Sequence, residues 1–267
     1  MVATLSAVFG LLIGSFLNVV VHRVPARRSI VSPPSACTNC GSRIRAIDNV
    51  PVVSWIALRG RCRHCAAPIS MRYPLVEAGT ALAFGLVAWW SLAQTTEAPA
   101  ASRYIELGAY LYLAAVSIAL ALIDLDTRTL PNRIVLPSYL VAGAALSAAA
   151  LIAGTPEVLV RAAIGAGILF AAYLLLALIV PRGMGMGDVK LAGVLGLYLA
   201  YQGWGQLTVG AFAAFVLGGV FGVALLLARK AKRGSGIPFG PWMIAGAWLG
   251  LVVGEPIAGG YLALIGL

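Results

Sequence analysis

Three acids and four thiols stand out in a chain otherwise poor in charge. Asp124 and Asp126 end a long apolar run in "ALALIDLDTRTLPN", and Asp188 follows three alternating glycines, Gly183, Gly185 and Gly187, in "PRGMGMGDVKLAGVLG". An acid beside hydrocarbon is costly and by default marks a functional position. Two carboxylates a few ångströms apart cannot both ionise readily, so one keeps a proton. The ionised member can draw a proton from water while the other donates a hydrogen bond to a scissile carbonyl, and the two titrations belong to the pair. Each acid alone has a plainer reading. Asp124 could simply end a helix at an interface, although a helix C-terminus repels an acid by about 0.3–1 kcal/mol. Arg128, four residues on, could offset this. Asp188 could be a helix N-cap.

The thiols are Cys37, Cys40, Cys62 and Cys65, in the pattern C-x2-C, 21 residues, C-x2-C. Each pair can present two thiolates to one ion, and two pairs close a tetrahedral site of soft sulfur ligands, which favours zinc. The alternatives are two disulfides or a redox pair. The orientation argued below places this segment in the reducing cytosol, against structural disulfides, and no βαβ pattern suggests a thioredoxin-like pair. His64, inside the second knuckle, is read as a surface residue, because four cysteines already suffice.

The elements that must position these groups are membrane helices. Of the 267 residues, 61% are apolar and 10% are charged, where a soluble domain carries about a quarter charged residues. Candidate spans are 4–21, 75–95, 104–124, 134–153, 158–180, 188–202, 206–228 and 238–253, with the apolar end, 256–267, too short to cross. The chain reads as an all-α polytopic membrane protein of about eight transmembrane helices, with a small cytoplasmic zinc-knuckle domain between helices 1 and 2. The division is 1–22 for the first helix, 23–74 for the tetracysteine domain and 75–267 for the remaining membrane domain. No internal repeat is apparent. The first basic residue, Arg23, follows the first apolar run, the reverse of a secretory signal. The N-terminus is therefore expected outside.

The net charge of +10 does not argue for nucleic acid, because the basic residues lie between hydrophobic spans and report orientation. Nine arginines fall between the first two spans, from Arg23 to Arg72. With eight spans, Arg128, Arg133, Arg182, Lys190, Arg229, Lys230, Lys232 and Arg233 fall on the same, cytoplasmic side. Asp124 and Asp188, 64 residues apart, then both reach the cytoplasmic edge.

In order along nearly the whole chain, "GLLIGSFLNVVVHRVP", the cysteine quartet, "RYPLVEAGTAL", "LIDLDTRTLPN", "GMGMGDVKLAGVLG" and "GIPFGPWMIAG" resemble the bacterial prepilin peptidases, the type IV leader peptidases of pilus and type II secretion systems. The resemblance implies an eight-span intramembrane aspartyl protease of the cytoplasmic (inner) membrane, with its active site facing the cytoplasm. It implies prepilin or pseudopilin substrates, cut after the Gly of a short basic leader. It also implies N-methylation of the new terminus from S-adenosylmethionine. By the family's motifs Asp124 and Asp188 are the catalytic pair, Asp126 is a neighbour, and Glu77 is a landmark near the cysteine domain.

Other residues keep structural readings beside functional ones. Gly14, Asn18 and His22 recur every four residues, as a packing seam would. Glu77 opens the second span as a first-turn acid. Lys190 either tunes the acid pair or reaches to the interface. Gly185 and Gly187 allow unusual dihedrals or close approach. Pro238 and Pro241 suit a helix start, and Trp89 and Trp90 an interfacial belt. The rival to hydrolysis is a proton- or ion-coupled transporter that uses Asp124 and Asp188 as a relay. Such sites usually lie near the midplane and between repeats. A zinc-knuckle membrane adaptor without catalysis is the other alternative, and it would need no acid pair.

Overall fold

A computed structural model describes residues 1–94, 97–180, 184–228 and 238–266. Gly183, Arg182, Arg229, Lys230, Lys232 and Arg233 lie outside the described residues. The eight long helices expected from the apolar pattern all form: α1 (Val2–Arg23), α3 (Arg72–Ala93), α4 (Ala100–Thr127), α5 (Asn132–Ala153), α6 (Glu157–Ile179), α7 (Met186–Gln202), α8 (Trp204–Leu227) and α9 (Gly240–Leu264). A 3-10 turn at Ala46–Asn49 and the short helix α2 (Val53–Ala57) lie between α1 and α3. Among the described residues, seven helices are long and apolar enough to cross a bilayer. The eighth, α7, has 17 residues and is about 25 Å long, short of a hydrocarbon core of about 30 Å.

Two element ends differ from expectation. Asp124 does not close its helix, because α4 runs on to Thr127 and ends where Arg128 turns left-handed at φ 54°. The last helix does not stop before Pro256 but continues through it to Leu264. A proline removes one backbone donor, yet an apolar chain in lipid still satisfies the remaining backbone groups best as helix.

The chain forms two compact units, Met1–Thr95 with Tyr110–Ala119, and Thr96–Ala109 with Leu120–Leu267. In the first, α1 packs along α3 through the expected seam. A Cβ on Gly14 would lie 2.7 Å from Glu77 Cα, and one on Gly10 would lie 2.8 Å from Ala81 Cα, so only glycine permits this approach. Asn18 Nδ2 donates to the Tyr73 carbonyl at 3.2 Å, and His22 is exposed. Trp89 is exposed as a belt residue would be. Trp90 instead stacks edge-on against Tyr110, with centroids 5.2 Å apart.

In the second unit α7 is the centre. It is buried along most of its length and packs against α5, α6, α8 and α9. Its all-round apolar sequence suits such a position, since a helix hydrophobic on every face is a core helix. Its polar ends are satisfied by neighbours. Arg161 of α6 donates from Nε to the Ala200 carbonyl at 2.6 Å, and from Nη2 to those of Tyr201 and Gln202 at 2.7 and 3.0 Å. This places a cation on the partial negative charge of the α7 C-terminus. The Tyr201 hydroxyl donates to Glu106 Oε1 at 2.7 Å, and that of Tyr198 to the Ala109 carbonyl at 3.0 Å. The Tyr139 hydroxyl donates to the Lys190 carbonyl at 2.6 Å.

Arg161→Gln should therefore destabilise the second unit by about 1.5–3 kcal/mol, the range for charge-assisted hydrogen bonds. Arg161→Lys, a point charge without the fork, should recover only part of this. Thermal unfolding in detergent reads both, and an unchanged midpoint for Arg161→Gln would contradict the capping role.

Candidate active site and metal centre

Asp124 lies in the last turn of α4, where its own helix repels it. The fold supplies the opposite end of another helix. Asp124 is 4% exposed, and its Oδ2 accepts the N–H of Gly240 at 3.0 Å. Gly240 is the first residue of α9, with Pro241 next, so the carboxylate sits at a helix N-terminus, where backbone donors and dipole favour negative charge. Asp188 has the same kind of partner. It is the third residue of α7, not the N-cap, and its Oδ2 accepts the N–H of Gly185, the residue that caps the helix, at 3.0 Å.

Leu130 joins the two surroundings. A Cβ on Gly187 would lie 2.9 Å from Leu130 Cβ, and one on Gly240 would lie 3.3 Å from Leu130 Cδ2 and 2.8 Å from Asp124 Oδ2. One buried leucine thus touches the glycine beside each acid. Tyr173 belongs to an aromatic cluster with Phe215 and Phe239, with centroids 5.5 to 6.3 Å apart. Phe239 directly precedes Gly240, so this aromatic cluster reaches the amide that Asp124 accepts. Asp126, two positions from Asp124, is exposed. Gly185 has extended dihedrals open to any residue, so its freedom is not what the site uses. Gly187 and Gly240 are needed for space. Lys190 Nζ donates to Asn132 Oδ1 at 3.1 Å, which ties α7 to the start of α5.

Leu130, Gly240 and Tyr173 were not singled out from sequence. "TLPN" and "GIPFGP" carried a signal, each placing an apolar or glycine residue next to a helix-starting proline. A lone tyrosine in the apolar run of α6 carried a weaker one.

Glu77 belongs to the first unit. It lies in the second turn of α3, not the first, because the helix begins at Arg72. It is buried, and its Oε2 accepts the N–H of Val52 at 2.7 Å. Val52 has φ +60°, an uncommon value for a β-branched residue. The carboxylate thus anchors a strained turn of the cysteine segment to α3.

The four cysteines converge. Their sulfurs lie within 4.8 Å of one another and can hold a metal ion, and none is in a disulfide. Ligands about 2.3 Å from a tetrahedral zinc stand about 3.8 Å apart, and Cys37 Sγ and Cys65 Sγ are separated by 3.8 Å. Hydrogen bonds from the Ser42 side chain and backbone bring the Cys40 thiol down to about 6. The backbone N–H groups of Cys65 and His64 lower that of Cys62, while that of Cys37 is raised, so Cys40 is the thiol that offers thiolate to a cation near neutral pH. Asn39 donates to Cys65 Sγ at 3.6 Å. His64 is exposed.

The two knuckles repeat one geometry, contrary to the expectation of no repeat. Cys37 N–H bonds the Ser42 carbonyl, Gly41 N–H that of Cys37, and Ile44 N–H that of Ser35. Displaced by 25 residues, Cys62 bonds Ala67, Ala66 bonds Cys62, and Ile69 bonds Gly60. The signal was legible in "SACTNCGSRI" beside "GRCRHCAAPI", but only the cysteines and isoleucine are identical at key positions. The fifth position of the motif is left-handed in both, Gly41 at φ 69° and Ala66 at φ 55°. Two tests follow. Replacing the four cysteines with serine should remove bound metal from the purified protein, read by elemental mass spectrometry, and make residues 23–74 sensitive to protease. Ala66→Gly should raise the stability of the knuckle by up to about 1 kcal/mol, read as a higher temperature of metal release.

Comparison with known proteins finds two matched regions in the chain. A family model described as the Bacterial Peptidase A24 N-terminal domain matches residues 8–91. The model of the Type IV leader peptidase family matches residues 111–223 and includes both acids. A prepilin leader peptidase/N-methyltransferase of Stutzerimonas stutzeri is 36% identical, over 96% of this chain and 92% of its own length. Relatives of the same name are 38% identical in Pseudomonas putida, over 98% and 94%, and 37% identical in Burkholderia pseudomallei strain 1026b, over 97% and 87%. No solved structure matches the chain. With a multi-pass helical fold, a four-cysteine cluster and near full-length likeness to these enzymes, the chain belongs to the bacterial type IV leader peptidase family, the prepilin leader peptidase/N-methyltransferases.

Proposed function

We propose that the chain is an intramembrane aspartyl endopeptidase that removes the short basic leader of type IV prepilins or type II secretion pseudopilins after a Gly, and then methylates the new N-terminus. The observation that carries the peptidase reading is the acid pair: two carboxylates from different helices, each at the N-terminus of a helix, joined across Leu130. The ionised carboxylate takes a proton from the shared water as its oxygen attacks the scissile carbonyl carbon. The protonated one donates to the carbonyl oxygen, and as the tetrahedral species collapses the first carboxylate passes the proton it took from water to the leaving amine. The aromatic rings of Tyr173, Phe215 and Phe239 would offer an apolar wall on one side. The relay reading is not favoured, because the acids lie at helix ends rather than midway along spans and the relatives are named as peptidases.

The arginine distribution supports an acid pair facing the cytoplasm. It would meet a leader where its hydrophobic helix leaves the bilayer. Cys37, Cys40, Cys62 and Cys65 would hold zinc, which when bound supplies a cross-link between the two knuckles rather than a reactive centre. S-adenosylmethionine needs a cleft for its adenosine and amino-acid ends. No described feature matches one, so the methyl step rests on the relatives alone.

In membranes containing a prepilin, Asp124→Asn and Asp188→Asn should each reduce leader removal by about a hundred- to ten-thousandfold, while expression is retained. Asp126→Asn should change it little. Gly240→Ala would press a Cβ onto the Asp124 carboxylate and should cost about a hundredfold in turnover, the scale of a 1 Å misplacement. Gel-shift of the processed pilin and its N-terminal mass read all four, and normal cleavage by Asp124→Asn would end the proposal.

A further inference from the structure

The segment between the knuckles presents an apolar surface to the outside of a small domain. Ile47 is 70% exposed, Val50 45%, Val53 62% and Ile56 64%. The pairs are spaced by three residues, one in and after the 3-10 turn and one on α2, and each spacing puts two side chains on one face. The other side of the segment is tied inward. The Ser54 hydroxyl donates to the Ile47 carbonyl and accepts the Val50 N–H, both at 2.9 Å. Trp55 Nε1 donates to the Ile69 carbonyl at 3.1 Å. The aliphatic groups are therefore held outward by a fixed frame.

Charge surrounds them with one sign. Arg43 and Arg45 precede the segment, Arg59 and Arg61 follow it, and all four are exposed. Its one acid, Asp48, is held by Arg63 in a two-pronged pair, with Nη2 to Oδ1 at 2.6 Å and Nε to Oδ1 at 2.8 Å, which keeps that carboxyl below the usual range. The small domain that carries the segment is joined at one end to α1 and at the other to α3, both long enough to span a bilayer, so the domain stays beside a membrane surface.

We propose that residues 43–61 dock on the anionic headgroups of the adjoining leaflet, with Ile47, Val50, Val53 and Ile56 entering the interface and the flanking arginines meeting lipid phosphates. Aliphatic groups with basic neighbours are the chemistry of interfacial binding to anionic lipid. A basic leader peptide, the substrate class proposed above, would be repelled by the same arginines. Docking fixes the height and tilt of the cysteine domain and makes them depend on lipid charge.

The test is hydrogen exchange of the full-length, metal-loaded protein in nanodiscs, either of phosphatidylcholine alone or with a third of phosphatidylglycerol. Amides of residues 43–61 should exchange more slowly with the anionic lipid. Arg43→Gln with Arg45→Gln should reduce that protection by up to about 25-fold, from two factors of about five. Ile56→Asp should abolish it, and in each variant retained metal shows that the domain is folded. Equal exchange in both lipids, or protection that survives Ile56→Asp, would overturn the proposal. So would protection that appears only on adding a basic leader peptide, which would make this a protein-docking face.

Discussion

An acid at the C-terminal end of a membrane helix is opposed by its own backbone, and the second unit is arranged to compensate for that. Asp124 meets the first N–H of α9 and Asp188 meets the cap N–H of α7. Each carboxylate thereby exchanges water for a helix N-terminus, which costs the protein no further charged partner. Each acid has the N-terminal end of a helix behind it, which favours its charged form. The helices that carry these donors must start where they do, and that requirement accounts for Gly240, Pro241 and Gly187, and for the single leucine between them.

The same compensation operates at the far end of α7. That helix is too short to reach both surfaces of a bilayer and is enclosed by its neighbours, so its last carbonyls cannot rely on water. Arg161 supplies the missing donors from another helix. The first unit solves a different problem. A segment too small for a conventional core is held by two repeated knuckles, by Asp48 and Arg63, and by the buried carboxylate of Glu77 under Val52.

Much of this was legible in the residues. Apolar run lengths marked all eight long helices, because lipid leaves the backbone few alternatives to helix. Cysteine spacing marked the metal cluster, because two C-x2-C pairs are a geometric statement about one ion. Asp124 and Asp188 were marked as a pair by their shared membrane face, but the backbone amides that each accepts were not marked. Leu130 looks like any interfacial leucine, and Gly240 like a helix start. Their roles depend on distances between segments more than 50 residues apart, which no local pattern encodes. The knuckle repeat was missed for the opposite reason: backbone hydrogen bonds preserve it while most side chains differ.

The two-ended hold on α7 has a mechanical consequence. A rod anchored by Arg161 at one tip and wedged by Leu130 against Gly187 at the other resists axial sliding, so α7 serves as the fixed rail of the unit. On the peptidase reading proposed above, room for an extended peptide beside the acids would come from the opposing wall. There the start of α9 hangs on Asp124 by one amide hydrogen, a latch that a competing backbone could replace in kind.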